Sequence, residues 1–449
     1  MKLSRRQLLK TMGAGSLGLA LVGCAAPAAP AADGGGGAEP AAAATELTIW
    51  FHWGGAAGER AQELIDSYNA DGGAADNINV TIETVPGPEY RQKMTATRMA
   101  GTGPDTYHTA IPILELVTNE VALEMPDEDQ AYVSDNYIGA AVDRMTFQGK
   151  IWAYPTEHQA AALIYRRSVL EEEGISEIPE TMEELRELAK AVTREEDGIK
   201  FYGYTFNHDG YQPNFHFPGI VWRSGGELYE FEGDIPRTVT VNTPEAAFGL
   251  GWWRGMVDDG STQIGEVTYN EAWQNGLAFM TEIEPWYPLI VLRDGGAEEI
   301  FEDLGVTHVR GRSGVDPTIQ SGGWEILADR NSENPEEAFK FIRWMMHGPD
   351  MPFSRFIVET IGSLPAPLDY PTPIEGWSDA MSQGYAVETT PITRPHPGLK
   401  ALGDGELNQA IKETVQAVLL QQKDVEPALA DLEPQLQEIL DRTEGDREF

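Results

Sequence analysis

Apolar and polar positions alternate with period two in two stretches near the start of the chain. Leu47, Ile49 and Phe51 alternate with Thr48 and Trp50, and Ile78, Val80 and Ile82 repeat the pattern. That period marks a strand with one buried face. Between the two stretches, Ala61, Leu64, Ile65 and Tyr68 fall on one helical face. Strand, helix and strand in succession predict a parallel sheet and an α/β class. Later helices show their starts. Thr181 and Glu184 read as a capping box before Leu185, Leu188, Ala189 and Val192. Thr243-Pro244 and Asn334-Pro335 each set an N-cap ahead of a first-turn proline. The first leads into Ala246, Leu250, Trp253 and Val257, the second into Ala338, Phe341, Ile342 and Met345. Leu407, Ile411, Val415 and Val418 form another stripe, and the helical stretch from Ala428 to Leu440 contains Pro434, which predicts a kink or a break. The stripes read as core faces.

The N-terminus has a different texture. Ser-Arg-Arg-Gln-Leu-Leu-Lys (4–10) precedes a Gly- and Ala-rich apolar run from Thr11 to Val22, too short and flexible for a membrane span. It reads as an export signal, and Arg5-Arg6 resembles the twin-arginine type. The signal closes on Leu21-Val22-Gly23-Cys24, which resembles a bacterial lipobox, so residues 1–24 are expected to be removed up to an acylated Cys24. The alternative is a free thiol in a discarded signal. Cys24 is the sole cysteine, so the fold holds no disulfide. Residues 25–45, mostly Ala, Pro and Gly, read as a flexible linker with a typical reach of about 25 Å. A lipid-anchored lipoprotein on the extracytoplasmic face, in a periplasm or at a cell surface, is the expected address.

Composition narrows the function classes. A chain of 449 residues suggests two domains. The net charge is −40, and beyond the first ten residues 28 basic side chains stand against 72 acidic ones. Such a surface repels phosphate backbones and anionic bilayers, which argues against nucleic-acid work. The sequence contains no P-loop, no zinc-type histidine spacing and no Gly-x-Ser-x-Gly elbow. Neither a cofactor nor a metal is expected.

A family resemblance adds to this picture. Gly149-Lys150-Ile151-Trp152-Ala153-Tyr154-Pro155, Ala162 to Arg167, Ile178 to Leu185 and Gly322-Gly323-Trp324-Glu325-Ile326 resemble family 1 extracellular solute-binding proteins, the maltose-binding-protein-like group. Gly103-Pro104-Asp105, Phe279-Met280 with Pro285-Trp286, and Asn334 to Met345 follow the same family's order. There are departures. Tyr107-His108-Thr109 lacks a tryptophan that maltose-type members carry nearby, and the family's usual Tyr-Asn is Tyr165-Arg166 here. The resemblance implies a type II, two-lobed periplasmic-binding-protein fold with hinge crossovers and a cleft between the lobes. Lobe one would comprise 46–157 with 312–346, and lobe two 158–311 with 347–449. It further implies a monomeric solute-binding subunit of an ABC importer that hands an unchanged carbohydrate, a mono- or oligosaccharide, to permease subunits.

A sugar cleft needs aromatic plates under the apolar ring faces and planar polar groups around the hydroxyl rim. Trp286 matches the family's stacking tryptophan. Trp324 follows two glycines, Trp53 follows the first strand, and Trp222 precedes Ser224-Gly225-Gly226. For the rim, the resemblance points to Glu157, His158 and Gln159 in the first crossover, then to Asp105 and His108, and finally to Gln212, Asn214 and His216. Each has a plainer reading as core, hinge or turn. Two rival functions differ in class. A secreted glycan-active enzyme would use Glu282 and Glu284, whose i, i+2 spacing places them on one face of a strand. The same fold binding a polyamine or other organic cation would use tryptophans and a carboxylate such as Glu157.

Overall fold

The computed structural model describes residues 43–443 apart from Glu266. The export signal, Cys24 and most of the linker lie outside those residues. The described chain forms one compact unit from Ala44 onward.

Thr45–Phe51 and Ile78–Thr84 are the two period-two stretches, and they pair in parallel with Leu47 opposite Val80 and Ile49 opposite Ile82. Helix Gly55–Ala70 joins them through residues 71–77. Thr106–Thr109 adds in parallel on the other edge of the first strand, and Glu325–Ala328 and Tyr154–Pro155 complete a five-stranded sheet by antiparallel pairing. Trp50, expected on a less buried face, is 2% exposed. Tyr90 of helix Gly87–Ala100 and Tyr107 of the neighbouring strand both meet its indole edge-on at under 6 Å, so that helix covers the face carrying Trp50.

A second five-stranded sheet runs in the order Leu304–Thr307, Ala162–Arg166, Ala278–Ile283, Ile199–Tyr204 and Arg194–Glu196. Neighbouring side chains of one strand enter different cores. Leu163 joins helices Met182–Val192, Pro244–Asp258, Asp404–Leu419 and Val425–Thr443, whereas Ala162 and Ile164 face the other cluster. The chain passes between the two large sheets through strands of a third, smaller one. Tyr154–Pro155 leads to Glu157–Ala160 and on to Ala162–Arg166, while Leu304–Thr307 leads to Ile319–Gly322 and back to Glu325–Ala328. The two connecting strands pair with each other, Ser321 opposite Ala160 and Gly322 opposite Gln159, and Leu364–Pro365 and Thr393–Pro395 flank them. Hydrogen-bonded connectors of this kind suit a hinge that bends without unravelling.

The helix starts follow local chemistry with two departures, and one helix interior adds a third. Thr243 caps its helix, its hydroxyl accepting from the Ala246 amide at 3.2 Å. Thr181 accepts from the Glu184 amide but donates its own hydroxyl to the Glu184 carboxylate, so the return bond of a full capping box is replaced. Asn334 makes no side-chain cap bond; the Ser332 hydroxyl accepts from its amide instead. Pro434 interrupts nothing: Val425–Thr443 is a single helix. Pro434 and Ala430, whose carbonyl it would leave unpaired, are both exposed, where water satisfies the freed acceptor.

Candidate ligand cleft

Trp53, Trp286 and Trp324 come from three distant segments and line one cavity of about 560 Å³. Ala57 and Ala110 join it beside the first sheet, Phe215 and Ile290 beside the second, and Gln159, Gly322 and Gly323 from the small sheet. Trp53 stands where the first strand ends, before a turn in which Gly55 has φ +58°, a conformation that favours glycine. Trp286 follows the strand Ala278–Ile283 and opens a wide helical turn over Tyr287–Arg293.

The glycines ahead of Trp324 are required by internal packing as well as lining the cavity. A Cβ on Gly322 would sit 2.7 Å from the Phe215 ring, and one on Gly323 (φ +131°) 2.5 Å from the Glu157 carbonyl. Both close approaches build the floor. Trp324 is then held from behind by His52, 4.0 Å away between ring centres, and meets Trp53 at 5.4 Å and 62°. Burial pushes the His52 imidazole down to about 4, so it is neutral at pH 7.

The remaining sequence-expected residues divide sharply. Gln159 lines the cavity, and its Nε2 donates to Glu157 Oε1 at 3.1 Å and to Ser363 Oγ at 3.3 Å. Glu157 itself does not line it: the side chain is fully buried, and burial pushes its carboxyl up to about 7 against Ser363, Arg144 and Gln159. His158 lies inside as well, its Nδ1 2.9 Å from Ser321 Oγ. His108 is a platform beneath the rings, stacked on Phe51 at 4.7 Å and on Trp324 at 5.7 Å, with burial holding it neutral. Asp105 braces loops, accepting from the Thr48 amide at 2.9 Å and from Ser332 Oγ at 2.6 Å. Asn214 is buried within helix Gln212–Trp222, where its carbonyl accepts from His396 Nε2 at 3.4 Å. Trp222 belongs elsewhere. It lines a separate recess, donates to Glu227 Oε2 at 2.8 Å and carries Arg394 over its ring at 4.3 Å.

Other wall residues had no strong signal in the sequence. Tyr211 and Phe215, four apart with their rings tilted at 34° and centres 5.1 Å apart, cover one side; their helical spacing beside a polar cluster was the available clue. Asp404 and Asn408 also stand four apart, at the start of helix Asp404–Leu419. Burial pushes the Asp404 carboxyl up against the pull of Arg91, which binds it at 2.8 Å. A second compartment of about 420 Å³ shares Gln159, Tyr211, Phe215 and Trp286 with the first and adds Glu284, Gln212, Asn207, Asp209 and Gly210. The paired-carboxylate rival weakens here, because Glu282 is engaged by Arg223 through two bonds of 2.5 Å.

Similarity to known proteins is consistent along the chain. The family model described as bacterial extracellular solute-binding protein matches residues 52–346. A probable ABC transporter-binding protein of Deinococcus radiodurans is 26% identical over 317 residues, covering 68% of this chain and 72% of that protein. Among solved structures, the cyclic α-maltosyl-1,6-maltose binding protein from Arthrobacter globiformis superposes with a TM-score of 0.72 at 20% identity, covering 89% of this chain and all of that one. The sugar-binding protein MalE from Xanthomonas citri gives 0.73 at 19% identity, covering 89% and 98%. At these identities the solved structures establish the two-lobed fold and leave the ligand to be argued from the cleft.

Proposed function

Because this chain belongs to the bacterial extracellular solute-binding protein family, we propose that it is the solute-binding subunit of an ABC importer and that its cargo is a carbohydrate, released unaltered. The observation carrying this reading is the set of three tryptophans, Trp53, Trp286 and Trp324, around a cavity with Gln159 at its wall. Indole plates suit the apolar faces of a pyranose, and an amide offers hydroxyls both a donor and an acceptor. The neighbouring structures that are sugar-binding proteins point the same way.

The cleft would work by population shift. A ligand stacked on Trp53 and Trp324 from one lobe and on Trp286 from the other gains contacts only when the lobes approach, and that difference drives closure. Residues 46–157 with 312–346 form the first lobe in this reading. The segment around Phe353 and Phe356 moves with it, since both rings pack on Phe51. Upstream, Cys24 would carry the lipid; in a native host a Cys24→Ser form should leave the membrane fraction and appear as soluble protein.

A thermal-shift screen of mono- and oligosaccharides should find a ligand that raises the melting temperature, since binding only the native state stabilises it. Trp286→Ala should then weaken that ligand by about 2 kcal/mol, roughly 30-fold in Kd, with unchanged far-UV circular dichroism. Retained affinity in this variant would remove Trp286 from the site. Recovery of chemically intact ligand, with no new reducing ends, separates a carrier from a hydrolase.

A further inference from the structure

We propose that the compartment beside Trp286 receives a protonated amine, which makes the ligand a basic carbohydrate: a saccharide unit bearing an ammonium group. This rests on the carbohydrate reading above and specifies its charge.

Two buried acceptors, on Glu284 and Gln212, distinguish the compartment. Glu284 lines it with a side chain 1% exposed. Its Oε1 lies 2.7 Å from His216 Nε2, and its Oε2 accepts from Gln212 Nε2 across a long 3.4 Å. Among the described residues no guanidinium or ammonium sits on it, in contrast to Glu282 two residues earlier, which pairs with Arg223. The carboxylate also dictates how Gln212 is turned, because only the NH₂ end can face it. That leaves Gln212 Oε1 buried and without a hydrogen-bond partner. Asp209 adds a solvent-exposed carboxylate at the rim. Among the described residues, no Lys or Arg lines either compartment.

These features select among ligand groups. A ligand carboxylate or phosphate would face the Glu284 and Asp209 carboxyls, and the one histidine on Glu284, His216, is already engaged by it. A neutral hydroxyl donates a single hydrogen and so can satisfy only one of the two buried acceptors, Glu284 Oε2 and Gln212 Oε1. An ammonium donates three hydrogen bonds and accepts none, which matches Glu284 and the unpartnered Gln212 Oε1. It is also attracted to ring faces, and Trp286, Tyr211 and Phe215 supply them in the same wall.

The test is calorimetric titration of the full mature protein with matched mono- and oligosaccharides that differ only in a free amine against a hydroxyl or acetamide. The amine form should bind at least tenfold more tightly, and the margin should shrink in 0.5 M salt, because charge attraction is screened. Glu284→Gln should cost the amine form at least tenfold more than its neutral partner. Equal affinity of the two forms in the wild type overturns the proposal even if the variant fails to fold, as does equal weakening of both forms by E284Q. Neutral sugars that bind as well as their amines leave the carbohydrate reading standing and remove only this one. Spermidine binding with no saccharide binding removes both.

Discussion

Glu282→Ala is expected to destabilise the protein by about 3–5 kcal/mol, the usual cost of leaving a buried charge without its partner. The Arg223 and Glu282 side chains are 1% and 3% exposed and share two parallel hydrogen bonds. Arg223 directly follows helix Gln212–Trp222, where a cation also meets the negative end of the helix dipole. Glu282 sits on strand Ala278–Ile283, so the pair ties the helix carrying Phe215 to the strand that leads to Trp286. Urea unfolding should show a lower midpoint with an unchanged slope. A double replacement, Arg223→Met with Glu282→Leu, should recover most of the loss, since removing both charges removes the penalty as well as the attraction. A loss under about 1 kcal/mol in Glu282→Ala would mean that water reaches the guanidinium.

Much of the scaffold was legible because it depends on short-range order. The parallel register of residues 45–51 with 78–84 follows from two alternating stretches, and the Thr243 cap follows from Thr-Pro before an apolar stripe. Pro434 does not break its helix, because its effect depends on whether the carbonyl one turn back faces water, and solvent exposure is a tertiary property. The cleft was only half legible, for a related reason. Residue type says that tryptophans and polar groups are present, but their facing is decided by packing. Trp222 and Trp286 each lie close to a polar loop, yet Trp222 is held away by Glu227 and Arg394 while Trp286 reaches the cavity. His108 and Glu157 lie one layer below the surface that was expected of them. Asp404 and Asn408 come from a helix whose apolar stripe announced only its core face.

The hinge interior is expected to lower stability as pH rises from about 4.5 through 7. One buried guanidinium, Arg144, is shared there by two buried carboxyls, Glu157 and Glu325. Burial pushes both carboxyls up, Glu325 well above the ordinary range and Glu157 to about 7, with their mutual repulsion adding to the rise at Glu325. His158 cannot supply the missing positive charge, because burial and Arg144 push it down to about 3. The folded state therefore keeps a proton that the unfolded chain has lost between the carboxylate's ordinary 4.5 and about 7. With more protons bound in the native state, stability decreases with pH across that window, and the share owed to Glu157 ends above it. The Glu157 part amounts to at most about 3 kcal/mol. Glu157→Gln removes it, letting Glu325 pair alone with Arg144, so the variant should gain up to that amount over the wild type at pH 8 and little at pH 5. Exposed carboxylates such as Glu271 and Glu406, whose hydrogen bonds hold them below their ordinary range, tilt the absolute curve the other way. The difference between the two proteins cancels that tilt. Parallel stability curves from pH 5 to 8 would show that the hinge interior carries no extra proton.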